Sequence, residues 1–196
     1  MNTDIAGFIL AGGASRRMGR DKSQLTLGDE SFVDRIARQL APVTRGITLV
    51  GRNLTSAEAL PQVADVYPKW GALGGVHAAL SACDLEWCLV VACDLPCVTT
   101  GLFERLIELR EDYDAVAPVQ PDGIPQPLCT LYRVDCCRKH ATELINSGER
   151  KPVALLQSVK TRWVPFSDLR DLPEAERFFE NINTPQDYEA LRKDAN

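Results

Sequence analysis

Histidine is nearly absent from this sequence of 196 residues, which contains only His77 and His140. Both fall within stretches whose apolar periodicity predicts helices. No serine or cysteine stands in the strand–turn–helix setting of a nucleophile elbow. The sequence therefore favours chemistry in which the protein positions and neutralises charged substrates, such as transfer to an already ionised phosphate.

The chain also lacks long apolar runs, a basic composition and paired cysteine motifs. No run approaches the ~20 residues that span a membrane, and the N-terminus lacks the basic start of a signal peptide, so we expect a cytoplasmic protein that does not enter a membrane. A net charge of −5 argues against nucleic-acid binding. Seven cysteines without two-residue spacing predict reduced, buried thiols.

Short apolar runs alternate with amphipathic stretches along the whole chain. This alternation predicts an α/β fold: one Rossmann-like domain over residues 1–196, with a mostly parallel sheet flanked by helices on both faces. In such sheets, ligands bind beyond the carboxyl ends of the strands, near a reversal of strand order. The predicted strands are 5–10, 46–51, a short piece within 61–66, 86–96, 114–119, 127–133 and 161–166. The predicted helices are 31–43, 71–83, 99–111, 135–147, 151–158 and 184–193.

The stretch LAGGASRRMGRDK, residues 10–22, combines adjacent glycines with four cationic side chains. Gly12 and Gly13 follow the first predicted strand, where exposed backbone N–H groups bind phosphate oxygens. Arg16, Arg17 and Lys22 add donors and charge for the same anion. A solvated basic loop is the simpler alternative. The spacing of a Walker loop is absent, so the stretch predicts a different kind of phosphate site.

Asp94 ends the most apolar predicted strand and precedes Leu-Pro. A lone carboxylate at this position suits magnesium, which usually takes one or two carboxylates together with substrate phosphates and waters. The alternative is a turn or helix-capping aspartate before Thr99. A magnesium ion would allow Asp94 and bound phosphates to share one site without repulsion.

The segment NINTPQDY, residues 181–188, offers a second candidate ligand. Thr184 and Pro185 are typical of a helix start, as N-cap and first helical residue. Asn181 and Asn183 alternate on the extended lead-in and so face one side. The amide oxygen of Asn183 either ligates magnesium or braces the turn, and the sequence leaves both possibilities open.

Four motifs in this order resemble those of the molybdenum cofactor guanylyltransferases. They are the basic loop at 10–22, ACDLP at 92–96, DGIPQPLCTLYR at 122–133 and FFENINTPQDY at 178–188. The resemblance covers about residues 5 to 192. It implies the fold of the nucleotide-diphospho-sugar transferases, and transfer of GMP from magnesium-GTP to the terminal phosphate of molybdopterin, with release of pyrophosphate.

The resemblance also implies roles for individual residues. Lys22, Asp94 and Arg17 would act in catalysis, and Asp94 would hold Mg²⁺ with Asn183 as the candidate second ligand. The family can place an asparagine just after the second strand, where this chain has Gly51, so Asn53 would take over that contact only if the loop shifts. The residues implied to bind the nucleotide are Leu10, Ala11, Gly12, Gly13, Lys22, Asn53, Asp65 and Asp94.

Two other functions are compatible with these motifs. A cytidylyltransferase would make the cytosine form of the cofactor, although LAGG rather than LAAG at the opening favours guanine. A non-catalytic module would bind the nucleotide or deliver the cofactor, although retention of Lys22 and Asp94 favours turnover. Expected partners are GTP and molybdopterin, then cofactor-biosynthesis proteins and molybdoenzyme apoproteins. The segment 121–133 is the candidate molybdopterin pocket. Arg133 and Arg150 are candidate contacts to the pterin phosphate, and ordinary surface charge explains these two arginines equally well.

Overall fold

Strand β1 (Ile5–Leu10) lies next to the central strand of a seven-stranded sheet and is buried along nearly its whole length. The computed structural model describes residues 4–11, 25–51, 60–68 and 70–194. The other strands of the sheet are β4 (Ile47–Val50), β5 (Gln62–Val63), β6 (Trp87–Ala92), β7 (Ala115–Pro118), β8 (Cys129–Arg133) and β9 (Thr161–Val164). A two-stranded hairpin, β2 (Thr26–Leu27) and β3 (Glu30–Ser31), stands apart from this sheet.

The strand order is β5-β4-β1-β6-β8-β7-β9. Every strand except β8 runs in the same direction, because β8 pairs antiparallel with both β6 and β7. The chain adds β4 and β5 on one side of β1 and then crosses to β6 on the other side. The strand order therefore reverses between β1 and β6, which confirms the mostly parallel α/β sheet and locates its switch point.

Helices cover both faces of the sheet. Side chains along a strand point alternately to the two faces of the sheet. Ile9 and Val91 lie on the face covered by α1 (Phe32–Leu40) and α3 (Thr100–Glu108). Phe8 and Val90 face the side covered by α2 (Ala72–Ala82), α4 (Val134–Asn146) and α5 (Pro152–Ser158). Each face thus has its own buried core.

The last helix, α6 (Pro185–Asp194), belongs to a third, smaller cluster. Ile182 and Leu191 pack there with Leu25, Phe32 and Cys97. The Tyr188 hydroxyl donates a hydrogen bond of 2.6 Å to the Thr26 carbonyl oxygen, tying α6 to the hairpin. The end of the chain is thereby held against the first half of the fold.

The helices and main strands lie within a few residues of their predicted positions, and the hairpin was not anticipated. All seven cysteines are free; six are buried and Cys136 is partly exposed. Burial raises the pKa of Cys129 to about 12 and that of Cys97 to about 11, so both stay protonated at neutral pH. Among the described residues, no helix is both long and apolar enough to cross a membrane.

Candidate functional site

The carboxyl ends of β1, β4 and β6 meet at one edge of the sheet, called the rim below. The Ala11 N–H donates to the Val50 carbonyl oxygen at 2.9 Å, and the Cys93 N–H donates to the Leu10 carbonyl oxygen at 3.1 Å. These bonds continue the pairing one residue beyond the strands on both sides of β1. The rim includes the switch point, where α/β sheets bind ligands.

Leu10 and Ala11 are buried at this edge, with 8% and 7% of their surfaces exposed. A Cβ at Gly75 would stand 3.4 Å from Leu10 Cδ1, so the leucine side chain lies directly beneath α2. The Leu10 side chain therefore packs between β1 and α2. The chain leaves the sheet at Ala11. The expected ligand residues Gly12, Gly13, Arg17, Lys22 and Asn53 lie outside the described residues.

Asp94 follows β6 at the rim and is partly exposed. Its carbonyl oxygen accepts a hydrogen bond of 3.0 Å from the Ile182 N–H. Ile182 is itself only 3% exposed, which anchors the segment in the third cluster. The structure thus brings together Asp94 and the segment that carries Asn183, two motifs far apart in the sequence.

The turn before α6 is braced by a reciprocal cap. The Asp187 carboxylate accepts hydrogen bonds from the N–H groups of Asn183 at 2.9 Å and Thr184 at 2.8 Å. The Thr184 hydroxyl oxygen accepts one from the Asp187 N–H at 3.1 Å. This is a capping box with aspartate in the place of glutamate. Because Asn183 takes part in it through its backbone, its exposed amide is not needed for the cap.

The donor set around Asp94 suits a hard cation that binds substrate phosphates. Within the described ranges, no three histidine, cysteine, aspartate or glutamate side chains converge as a metal-binding group. A cation at Asp94 would therefore complete its shell with amide oxygens, water and phosphate. Magnesium is commonly bound in this way, so the residues fit the expected ion.

Asp65 lies at the other end of the same rim, two residues after β5, and is partly exposed. Three strand intervals separate β5 from β6, which corresponds to about 14 Å. Asp65 and Asp94 are therefore at the same edge but too far apart to bind one ion. This spacing is compatible with separate contacts to the two ends of an extended nucleotide.

Gln126, which the sequence did not single out, lies at the rim just before β8. It is 8% exposed, in the turn between Pro125 and Pro127. It belongs to the candidate molybdopterin segment, but nothing in the sequence pattern indicated that this glutamine would be buried.

The two candidate arginines of that pocket lie at opposite ends of the sheet. Arg133 is paired in register with Trp87 at the amino end of β6, and it forms a 2.9 Å ion pair with Glu86. The prediction that it contacts a phosphate at the rim is therefore wrong. Arg150 stacks 4.7 Å from the ring centre of Trp70, which immediately precedes the start of α2.

Comparison with known proteins adds independent information. The family described as MobA-like NTP transferase domain matches residues 7–162, which is most of the chain. A protein of Pelotomaculum thermopropionicum named "Probable molybdenum cofactor guanylyltransferase" is 35% identical over 183 residues, covering 92% of this chain and 88% of its own. The "Molybdenum cofactor guanylyltransferase" of Vibrio atlanticus is 34% identical over 191 residues, covering 94% of each chain.

A solved structure gives the same result for the fold. The molybdopterin-guanine dinucleotide biosynthesis protein A of Archaeoglobus fulgidus superposes with a TM-score of 0.81 at 26% identity. The superposition covers 96% of this chain and 97% of that one. The similarity therefore extends over the sheet, both helical layers and the C-terminal segment that reaches Asp94.

Proposed function

This chain belongs to the family of MobA-like NTP transferase domains, and we propose that it transfers GMP from GTP to the terminal phosphate of molybdopterin. An oxygen of that phosphate bonds to the α-phosphorus of GTP. The bond from this phosphorus to the oxygen bridging the β-phosphate breaks, and pyrophosphate leaves. The observation that carries the proposal is the similarity to proteins named molybdenum cofactor guanylyltransferase over more than nine tenths of the chain.

The scarcity of histidine is consistent with this reaction. The attacking phosphate is already ionised near neutral pH, so no general base is needed. Catalysis then consists of aligning the two substrates and compensating their negative charge. We assign the charge compensation to Arg17 and Lys22 in the basic loop.

We assign Asp94, with Asn183 as second ligand, to a magnesium ion. The hydrogen bond from Ile182 to the Asp94 carbonyl oxygen supports this pairing, because it holds both segments at the rim. Bound magnesium would supply charge neutralisation on the phosphates. Asp94 would hold the ion at the switch point, between the two substrates.

The nucleotide is assigned to the β5-β4-β1 side of the rim. Strand β1 ends there at Leu10, and Ala11, Gly12 and Gly13 come next in the sequence. Asn53 and Asp65 come after β4 and β5 in the sequence. The acceptor is assigned to the other side of Asp94, where residues 121–128 lead into β8. Arg150 lies beside the start of α2, on the side assigned to the nucleotide, so we do not assign it to the acceptor phosphate.

The proposal can be tested first by thermal stability with magnesium and each of GTP, CTP, UTP and ATP. A nucleotide at about 100 times its dissociation constant stabilises the fold by about 2.7 kcal/mol. We expect GTP alone to raise the melting temperature, and less so without magnesium. A shift with CTP alone would assign the chain to the cytidylyl branch.

Turnover separates an enzyme from a delivery module. With GTP and molybdopterin together, we expect release of one pyrophosphate for each dinucleotide formed. Nucleotide binding without pyrophosphate would indicate a module that only carries its ligand. We propose that the reaction takes place in the cytoplasm and that its product passes to molybdoenzyme apoproteins.

A further inference from the structure

The side-chain amide of Gln126 is buried without a hydrogen-bond partner within the described part of the chain. Only 8% of the residue is exposed. A buried amide that makes no hydrogen bond costs folding free energy, so such groups are normally paired. An unpaired amide at the edge where ligands bind therefore indicates a group that pairs with a ligand.

The backbone around Gln126 is held rigidly. Its N–H donates to the Pro118 carbonyl oxygen at 2.9 Å. Its own carbonyl oxygen accepts from the Cys129 N–H at 3.1 Å and from the Thr130 hydroxyl at 2.8 Å. The Tyr132 hydroxyl closes the same turn by donating to the Pro127 carbonyl oxygen at 2.7 Å. The amide is thus presented from a fixed backbone, as a ligand contact requires.

The position of Gln126 distinguishes between the two substrates. Strands β6 and β8 are neighbours, and the Ala92 N–H donates to the Leu128 carbonyl oxygen at 2.8 Å. Asp94, just after β6, and Gln126, just before β8, therefore lie at neighbouring strand ends of the same edge. Four strand intervals, about 19 Å, separate β8 from β5 and Asp65. Gln126 is therefore on the side of Asp94 away from the proposed nucleotide.

Ile124 adds an apolar group on the same extended segment. It is 55% exposed, unusually for a large aliphatic side chain here. Pro125 bridges to Val119, and residues two apart on an extended segment face the same side. An exposed apolar side chain next to a buried amide is suited to a flat heterocycle with a polar edge.

We infer that Gln126 binds the polar edge of the acceptor's pterin ring. This inference rests on the proposed function. The amide offers both a donor and an acceptor, matching the amino and oxo groups of the pterin pyrimidine ring. Guanine presents the same groups, and it is the position of Gln126, on the side of Asp94 away from Asp65, that assigns it to the acceptor.

Replacement of Gln126 by methionine tests the inference, because it keeps the side-chain length and removes both hydrogen-bonding groups. Calorimetric titration of the nucleotide-free protein with molybdopterin, where no transfer can occur, should show a dissociation constant raised about tenfold. The dissociation constant for GTP should not rise, and the melting temperature of the free protein should not fall. The amide has no protein partner to lose within the described residues.

Gln39 supplies the matched control. Its side-chain oxygen accepts hydrogen bonds from both the N–H and the hydroxyl of Thr100, each at 2.9 Å. Gln39→Met should therefore lower the melting temperature and leave the molybdopterin dissociation constant unchanged. Weakened GTP binding in Gln126→Met would overturn the inference, as would unchanged molybdopterin binding. Turnover of the wild-type protein is measured separately, so its failure would contradict the proposed function alone.

Discussion

Helices α2 and α3 both start at the rim, but their first turns are built differently. In α3, side chains of the protein accept hydrogen bonds from the N–H groups of the first turn. The Thr99 hydroxyl oxygen accepts from the Leu102 N–H at 3.3 Å, and the Gln39 side chain accepts from the Thr100 N–H at 2.9 Å. The start of α2 follows Gly71, which has a φ of 76° and makes no side-chain cap. Neither first turn contains an acidic residue, so the difference lies in the side-chain cap.

The difference teaches how one edge of a sheet serves both stability and binding. At α3, polar side chains satisfy the helix start and fix the turn that carries Asp94. At α2, glycines and aromatic rings bring the helix close to the sheet without placing a polar cap over its N–H groups. A helix start whose N–H groups have no side-chain cap favours a negatively charged ligand, such as the proposed nucleotide.

The largest expected effect concerns the carboxylate on the α3 side. Asp94→Ala should lower kcat for pyrophosphate release by at least about a hundredfold, because charge on the transferring phosphoryl group would lose its compensation. The backbone bond from the Ile182 N–H to the Asp94 carbonyl oxygen is available in the variant too, so the segment before α6 should stay in place. Glu104→Ala, an exposed acid on α3, is the control and should retain full activity. Unchanged turnover in Asp94→Ala would remove Asp94 from the site.

The next effect concerns the close packing on the α2 side. A Cβ at Gly74 would lie 2.9 Å from Trp70 Cβ and 3.3 Å from the Tyr67 carbonyl oxygen. Gly74→Ala should therefore destabilise the fold by about 1–3 kcal/mol in urea denaturation, despite the higher helix propensity of alanine. Gly75→Ala is the matched control, because its Cβ would meet only the Leu10 side chain at 3.4 Å. Equal stability of the two variants would show that the start of α2 is not closely packed.

A smaller effect is expected from removing the cap of α3. Thr99→Ala deletes the hydroxyl that accepts from Leu102, and it should lower the free energy of unfolding by about 1 kcal/mol. GTP affinity should be unchanged, because the proposed nucleotide lies on the α2 side. If Thr99→Ala instead weakened GTP binding, the division of the rim into two sides would not hold.

The smallest effect is a pH dependence of the free energy of unfolding, which arises from His77 on α2. His77 is 5% exposed, and burial, with a lesser contribution from the positive charge of Arg138, lowers the pKa of its imidazole. As pH falls below about 6.5, the unfolded chain takes up a proton at this residue before the folded chain does, so stability decreases. Urea denaturation at several pH values should show this loss in the wild type and a flatter dependence in His77→Gln. The same pH dependence of stability in the wild type and in His77→Gln would contradict this prediction.

Much of the fold could be predicted because buried strands and amphipathic helices have distinct periodicities. Strand direction could not, because an apolar run such as that of β8 has the same pattern whichever way it runs. This explains the error at Arg133, which the antiparallel β8 carries to the far edge of the sheet. Gln126 was missed for a related reason: polar residues between prolines are usually exposed, and periodicity does not show that the chain folds back so that the Gln126 N–H donates to the Pro118 carbonyl oxygen.

The hydrogen bond from Ile182 to Asp94 has a consequence for how the protein is made. During synthesis Asp94 is added to the chain long before Ile182, whose N–H holds the Asp94 carbonyl oxygen. The sheet up to β9 can assemble earlier. The arrangement around Asp94 is completed last, so a nascent chain would be able to fold before it is able to react.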